Sequence, residues 1–334
     1  MVDKILNAKS YLDIFTRNEY VSQYKQFITQ YHPDIWKDER AVEVTMKLNQ
    51  FYKEAKDHDT SDTWGTGSNV LSIKKSGSSI KAAFRYSFES EVGPVYVGDH
   101  IVIYEFSDKK YYSRYLDALD LIKYKDSKMK NYFSRFLPVI HDKVESTDGK
   151  YFVVLKKSDD VYPLSLVTDI FKDKVHSAWI LTRLMNFCCL FYYNKFVHCG
   201  ICIDNCFVSL KDHGLFLFGG WQFGRPNGVK MFGTTKLIYD NLPDSIKSKK
   251  VAVPQIDIES SKLMVKKLLG CNSYTQLVDK SSREMAIFLN NTNYDEDSTP
   301  MDELQAWENA RKATFPKHEF IKIKDISPEE VFKN

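Results

Sequence analysis

Tyr24-Lys25-Gln26-Phe27-Ile28-Thr29-Gln30-Tyr31-His32-Pro33-Asp34 is a run of apolar and amide side chains that stops on a proline. Extended back to Tyr20, it places Tyr20, Tyr24, Phe27, Ile28 and Tyr31 at i, i+4, i+7, i+8 and i+11. That spacing predicts a helix with one apolar face. Pro33 ends it, because proline lacks an amide proton and fixes its own φ. Val44, Leu48, Phe51, Tyr52 and Ala55 then form a second apolar face. Residues 8–57 are therefore expected to form a helical hairpin whose connection holds His32-Pro33-Asp34.

Beyond the hairpin the composition changes. Residues 57–79 are rich in Asp, Ser, Thr and Gly, with Gly65-Thr66-Gly67-Ser68 and Ser76-Gly77-Ser78-Ser79. This reads as a linker or a set of hairpin turns. Val95-Tyr96-Val97, Gly98-Asp99 and Ile101-Val102-Ile103-Tyr104 read as two strands about a tight turn. Residues 111–124 read as a helix with Tyr115, Leu116, Leu119 and Ile122 on one face. Phe152-Val153-Val154-Leu155 is a strand, and a long helix is expected over about 176–194. Its run Phe187 to Tyr193 is too short to cross a membrane and reads as a buried helix. Two short strands follow, Cys206 to Leu210 and Leu215 to Phe218, joined by Asp212-His213-Gly214. The remainder reads as helical, notably Asp257 to Leu269, with Gly270 where a helix C-cap is expected. Asp295, Glu296, Asp297, Asp302 and Glu303 read as a solvated acidic stretch.

The chain has 334 residues, enough for two or three domains, and is 43% hydrophobic. Its 20 Tyr, 22 Phe and 5 Trp favour packed units over disorder. A net charge of +3 implies neither a nucleic-acid nor a membrane partner. Of six Cys, five fall between 188 and 206, unlike a disulfide framework, so reduced thiols are expected. Met1 to Leu6 has no apolar run of signal-peptide length. The expected location is the cytoplasm, the host's if the chain is viral.

The segment Tyr24 to Asp34 resembles the stretch of J domains in which an apolar helix ends in Tyr-His-Pro-Asp. Ala41, Leu48, Asn49, Tyr52 and Ala55 are similar to that family's third helix, and Tyr11-Leu12 stands where its first begins. The resemblance implies docking on a DnaK-type heat-shock-70 chaperone and stimulation of its ATPase. Tyr24, Lys25, His32, Pro33 and Asp34 are the candidate chaperone-binding residues. The chain departs from the family in its basic face, which is mainly Lys25, so weaker electrostatic steering is expected. Trp36 is either a partner contact or part of the hairpin packing.

A second resemblance covers about residues 80–275. His198-Cys199-Gly200-Ile201-Cys202-Ile203-Asp204-Asn205 resembles the catalytic loop of protein kinases, with His198 and Asn205 in register. Gly200 falls where the proton-accepting Asp belongs. Leu217-Phe218-Gly219-Gly220-Trp221 resembles the metal-binding turn, with Phe218 or Gly219 in place of its Asp. Tyr104 stands for the phosphate-binding Lys. Gly233-Thr234 and Pro243 resemble the segment before the large-lobe helix. Asp257-Ile258-Glu259-Ser260 resembles the start of that helix, and Asp257 is implied to brace the loop through backbone amides. Phosphoryl transfer needs a positioned carboxylate, a cation and metal ions. Most of those groups are missing, although Asn205, Asp204, Lys81 and Arg85 remain as substitutes. The Gly65 to Ser68 string lies too far from the strands to be a phosphate loop and reads as linker.

The resemblances together imply an α+β chain: a J-like domain over 1–57, a linker over 58–79, and a two-lobed kinase-like fold over 80–334. The small lobe spans about 80–160 and the large lobe about 161–334. The expected function is a co-chaperone whose second domain, a pseudokinase, binds a protein client. No catalytic residue, metal or cofactor is expected. The alternatives are an atypical kinase or nucleotide-binding enzyme using ATP and magnesium, and a scaffold with neither ancestral activity. His198, Cys199, Cys202, Cys206 and His213 are close enough in sequence to raise a zinc site, against buried thiols packing as small hydrophobes.

Overall fold

The computed structural model describes the chain except residues 9, 61–63, 65–68, 295–297, 318–322, 324–325, 327 and 333–334. The fold mixes helix and sheet. Contacts divide it into two compact units, Met1–Phe88 with Val95–Val102 and Glu145–Gly149, and Glu89–Pro94 with Ile103–Val144 and Lys150–Asn334.

The first unit begins with α1 (Val2–Asn7), a helical turn at Tyr11–Asp13, α2 (Tyr20–Tyr31) and α3 (Ala41–Thr60). Pro33 forces its predecessor out of helix, so His32 is extended at φ −64 and ψ 140 and α2 stops there. On α3, Val44, Leu48, Phe51 and Ala55 are all buried, at the spacing read from the sequence. They pack on Ile5, Tyr11, Ile14, Phe15 and Tyr31. Losing a side chain such as Leu48 from this core would cost about 2–5 kcal/mol.

Among the described residues of 58–79, the hairpin-turn reading fits better than the linker. α3 runs on to Thr60, and His58 stacks on Tyr11 with ring centroids 4.7 Å apart. Trp64 meets Tyr11 edge-on at 5.0 Å. β1 (Asn69–Lys75) and β2 (Ser78–Phe84) then make an antiparallel hairpin in which Lys75 faces Ser78. Gly77, at φ +74, supplies the left-handed residue that this two-residue turn requires. Ile73 is buried, and Lys81 pairs with Asp57 of α3. The Gly65 to Ser68 string lies outside the described residues.

β3 (Tyr86–Ser90), β4 (Gly93–Val97), β5 (Ile101–Phe106), β6 (Ile140–Glu145) and β7 (Tyr151–Lys156) form a sheet in the order β3-β4-β5-β7-β6. The turn after β4 is closed by Gly98 N–H donating to Ile101 O at 2.9 Å. α4 (Lys109–Asp120) starts at Asp108, whose carboxylate accepts from the Lys110 amide. α5 (Ser127–Phe133) follows.

In the rest of the second unit, β8 (Val161–Pro163) lies beside β10 (Cys206–Ser209), which pairs antiparallel with β11 (Gly214–Leu217). β9 (Phe196–Val197) pairs with β12 (Arg225–Pro226). α6 (Lys174–Tyr193) buries most of its C-terminal half, Leu184, Met185, Phe187, Cys188, Leu190 and Phe191 among it, and leaves a less buried stripe at Asn186, Cys189 and Tyr193. Shorter helices follow: α7 (Lys236–Asn241) and α8 (Asp244–Lys249). α9 (Pro254–Leu268) is buried along its length and packs on α6. Its C-cap is Leu269, and Gly270, expected at that place, follows one residue later at φ +64. α10 (Tyr274–Lys280), α11 (Arg283–Asn290), α12 (Pro300–Thr314) and α13 (Pro328–Val331) complete the chain. Among the described residues no helix is long and apolar enough to cross a membrane.

The acidic stretch is not wholly solvated. Asp295 to Asp297 lie outside the described residues, and Asp302 caps α12 with Thr299. Glu303 is buried, 2.9 Å from Lys262 Nζ, which also lies 3.0 Å from Glu259. Lys262 is 1% exposed and donates to Asn291 O as well. Trp307 on the same helix is buried, and it pulls this face of α12, Glu303 included, into the core.

Candidate functional site

Two places carry the side chains singled out by the sequence. The first is the connection between α2 and α3. Its backbone is fixed by Ile35 and Trp36 N–H donating to His32 O, both at 2.9 Å. The Asp34 amide donates to His32 Nδ1 at 3.2 Å, and the Asp34 carboxylate lies 3.4 Å from the same nitrogen. Lys37 Nζ donates to Pro33 O at 3.1 Å. The Asp34 side chain is 86% exposed and that of His32 is 44% exposed. A donor and a carboxylate therefore stand outward on a stiffened turn.

The neighbours sort differently. Lys25 is exposed on α2. Tyr24 faces α3: its ring stacks on Tyr52 at 3.9 Å and its hydroxyl donates to Asn49 Oδ1 at 2.7 Å. Its ring and hydroxyl are thus engaged within the hairpin. Trp36 packs edge-on against Tyr31 at 5.4 Å, with the Arg40 guanidinium 5.7 Å from its ring, so it belongs to the hairpin packing. Arg40 also binds Asp38, and those hydrogen bonds lower the Asp38 carboxyl to about 2.

The second place gathers Tyr104, His198, Gly200, Asn205, Gly219 and Asp257, which are far apart in sequence. Asp257, buried on the first turn of α9, accepts from the His198 amide at 2.7 Å and the Cys199 amide at 2.8 Å. Those bonds hold Cys199 in the left-handed region at φ +56. Thr234 Oγ1 donates to Cys199 O at 2.6 Å from the other side. Asn205 Nδ2 donates to Gly200 O at 2.8 Å. The glycines are packed shut. A Cβ on Gly200 would meet Gly220 Cα and O at 2.9 Å. One on Gly219 would meet Asn205 Oδ1 at 2.2 Å and Tyr104 Oη at 3.0 Å. No family model matches this chain, and no curated protein matches it.

The electrostatics of this place are set by burial. Asp257 is raised from 3.8 to about 7, against the pull of its two amides. His198 is lowered to about 3 by burial, with the Gly219 carbonyl opposing slightly. Neither ring nitrogen has a hydrogen-bond partner in acceptable geometry. The ring lies between Phe191, stacked at 5.5 Å, and Trp221, edge-on at 4.9 Å. Cys202 is pushed up to about 12, and Cys188, Cys199 and Cys206 rise too, so none is a ready thiolate. Burial raises Asp204, with Lys267 opposing, and it raises Glu91, with Asp204 adding to the rise. At Gly200 and Gly219 no side chain exists to accept a proton or ligate a cation.

The zinc candidates diverge. Cys206 Sγ lies 4.0 Å from Met264 Sδ, and His213 sits with His176 and Trp179. Among the described residues no three His, Cys, Asp or Glu side chains converge as a metal would need. The two proposed substitutes for the missing cation are committed within their own unit, Lys81 to Asp57 and Arg85 to Asp99 at 2.6 Å. Two residues of the site had no role assigned from the sequence. Tyr115 donates to Phe218 O at 2.6 Å and lies 5.7 Å from Tyr104, ring to ring. Gly220, at φ +83, is the second half of the closed glycine pair. The Gly-Gly dipeptide itself was the only signal for it.

Proposed function

We propose that this chain is a J-domain co-chaperone whose second unit is a kinase-like body without phosphoryl-transfer chemistry. The observation that carries the reading is the outward His32 and Asp34 on the rigid α2–α3 turn. Such a pair offers a partner one directional donor and one carboxylate at a fixed spacing. Stimulating ATP hydrolysis requires only that the pair bind the hydrolysis-competent state of the chaperone better than the resting one. Lys25 is the sole basic residue of α2, so docking should depend little on salt.

The kinase-like reading of the second unit rests on Asp257 accepting both loop amides, as the resemblance implied. Loss of chemistry follows from the closed glycines: the two positions that would carry carboxylates have no room for a Cβ. The body then serves to hold a protein client. Affinity measurements on a DnaK-type chaperone locked in its ATP-bound and ADP-bound states test the reading. Tighter binding to the ATP-bound state, lost in His32→Gln, is expected. Binding blind to nucleotide state, or unchanged by His32→Gln, would rule it out.

A further inference from the structure

α6 and the end of α12 enclose a cavity of about 600 Å³, within the range of small-molecule sites. Val175, Ala178 and Trp179 of α6 and Phe315 after α12 give it apolar walls. Lys174, Arg183, Arg311 and Lys317 also line it, and no carboxylate does.

These cations are not equally engaged. Arg311 is neutralised by Glu308 at 2.7 Å. Among the described residues Lys174 Nζ reaches only a backbone carbonyl, that of Ser281, at 3.5 Å. Arg183 donates to Tyr132 Oη at 2.7 Å, and its guanidinium lies 5.4 Å from the Phe136 ring. Among the described residues no carboxylate pairs with Arg183 or Lys317. Trp179 adds an indole N–H that is buried without a partner. The positive potential reaches His213, whose proton affinity falls through burial first, then His176 and Arg183.

Arg183 and Lys317 thus place positive charge, without a carboxylate partner among the described residues, beside an apolar chamber. An anion on an apolar body would pair with that charge and fill the chamber. We propose that this cavity binds an amphipathic organic anion, its apolar body between α6 and Phe315 and its head group on Arg183 and Lys317. This site is separate from the hairpin turn and from the glycine pair, so it stands or falls independently of the chaperone reading.

The test uses the full chain and two fluorescent probes with one aromatic body, anilinonaphthalene sulfonate and its uncharged parent phenylnaphthylamine. The sulfonate should bind saturably and about a hundredfold more tightly than the parent, the effect of two charge-assisted contacts. Lys317→Gln and Arg183→Gln should each weaken the sulfonate about tenfold and leave the parent unchanged. Lys317 is exposed, so its variant reports on binding even if Arg183→Gln disturbs packing on Tyr132. Decanoate or decyl phosphate should displace the dye, and the stronger competitor names the head group. Equal affinity for both probes, sulfonate binding unchanged in Lys317→Gln, or no displacement by either competitor would overturn the proposal.

Discussion

Gly219→Ala is the most informative single change in the second unit. The added Cβ would lie 2.2 Å from Asn205 Oδ1, 2.9 Å from its Cγ and 3.0 Å from Tyr104 Oη. Gly219 is not among the residues with positive φ, so the cost comes from contact, not backbone strain. Asn205 is 3% exposed and held by its bond to Gly200 O, and it must retreat by about 1 Å to reach ordinary contact. Retreat breaks that bond and leaves buried polar groups unpaired, at about 1–3 kcal/mol. Overpacking adds a similar amount. A loss of about 2–6 kcal/mol follows, a large share of the 5–15 kcal/mol that holds a typical domain folded. Urea unfolding of wild type, Gly219→Ala, Asn205→Ala and the double variant reads it directly. The double variant should be more stable than the two single losses imply, because Asn205→Ala vacates the space. A Gly219→Ala loss below about 0.5 kcal/mol, or strict additivity with Asn205→Ala, would refute the picture of a site filled by its own side chains.

Asp257 gives a pH signature. Its carboxyl is raised, so its contribution to stability is present below about pH 4 and drains away as pH rises to about 7. Asp257→Asn should remove a fall of about 1.4 kcal/mol per pH unit in that window, read from urea midpoints across the range. His198 has the opposite sign. Lowered to about 3, it contributes above about pH 6.5, and that contribution is lost as pH falls. His198→Phe keeps the stack on Phe191, removes two unpartnered nitrogens and should raise stability by about 1–2 kcal/mol, with milder acid sensitivity in thermal melts. Tyr24→Phe deletes the bond to Asn49 and should cost about 1 kcal/mol while chaperone affinity stays unchanged; lost affinity at full stability would return Tyr24 to the docking surface.

The sequence and the structure agree where periodicity is long. Val44, Leu48, Phe51 and Ala55 repeat over three turns, and that repeat marked α3's buried face without help from contacts. Periodicity does not say which way a polar tip points. Tyr24 and Lys25 are adjacent, yet one hydroxyl is spent on Asn49 and the other side chain is free to face outward. Gly and Ser at the β1–β2 turn suit a hairpin turn and a linker alike, and Ile73, its buried residue, stands alone, so composition left both readings open. Glu303 looked solvated because its partner, Lys262, lies far back in the chain on α9. At the glycine pair, motif spacing named His198, Gly200, Asn205, Gly219 and Asp257. It could not tell an emptied site from a filled one, since that depends on distances such as Asn205 to Gly219.

Single-turnover ATP hydrolysis by a purified DnaK-type chaperone, with and without this chain, is the most direct measurement. Wild type should accelerate hydrolysis, and His32→Gln at equal stability should not. Equal acceleration by both proteins, or none by wild type at saturating concentration, would contradict a docking role for His32-Pro33-Asp34.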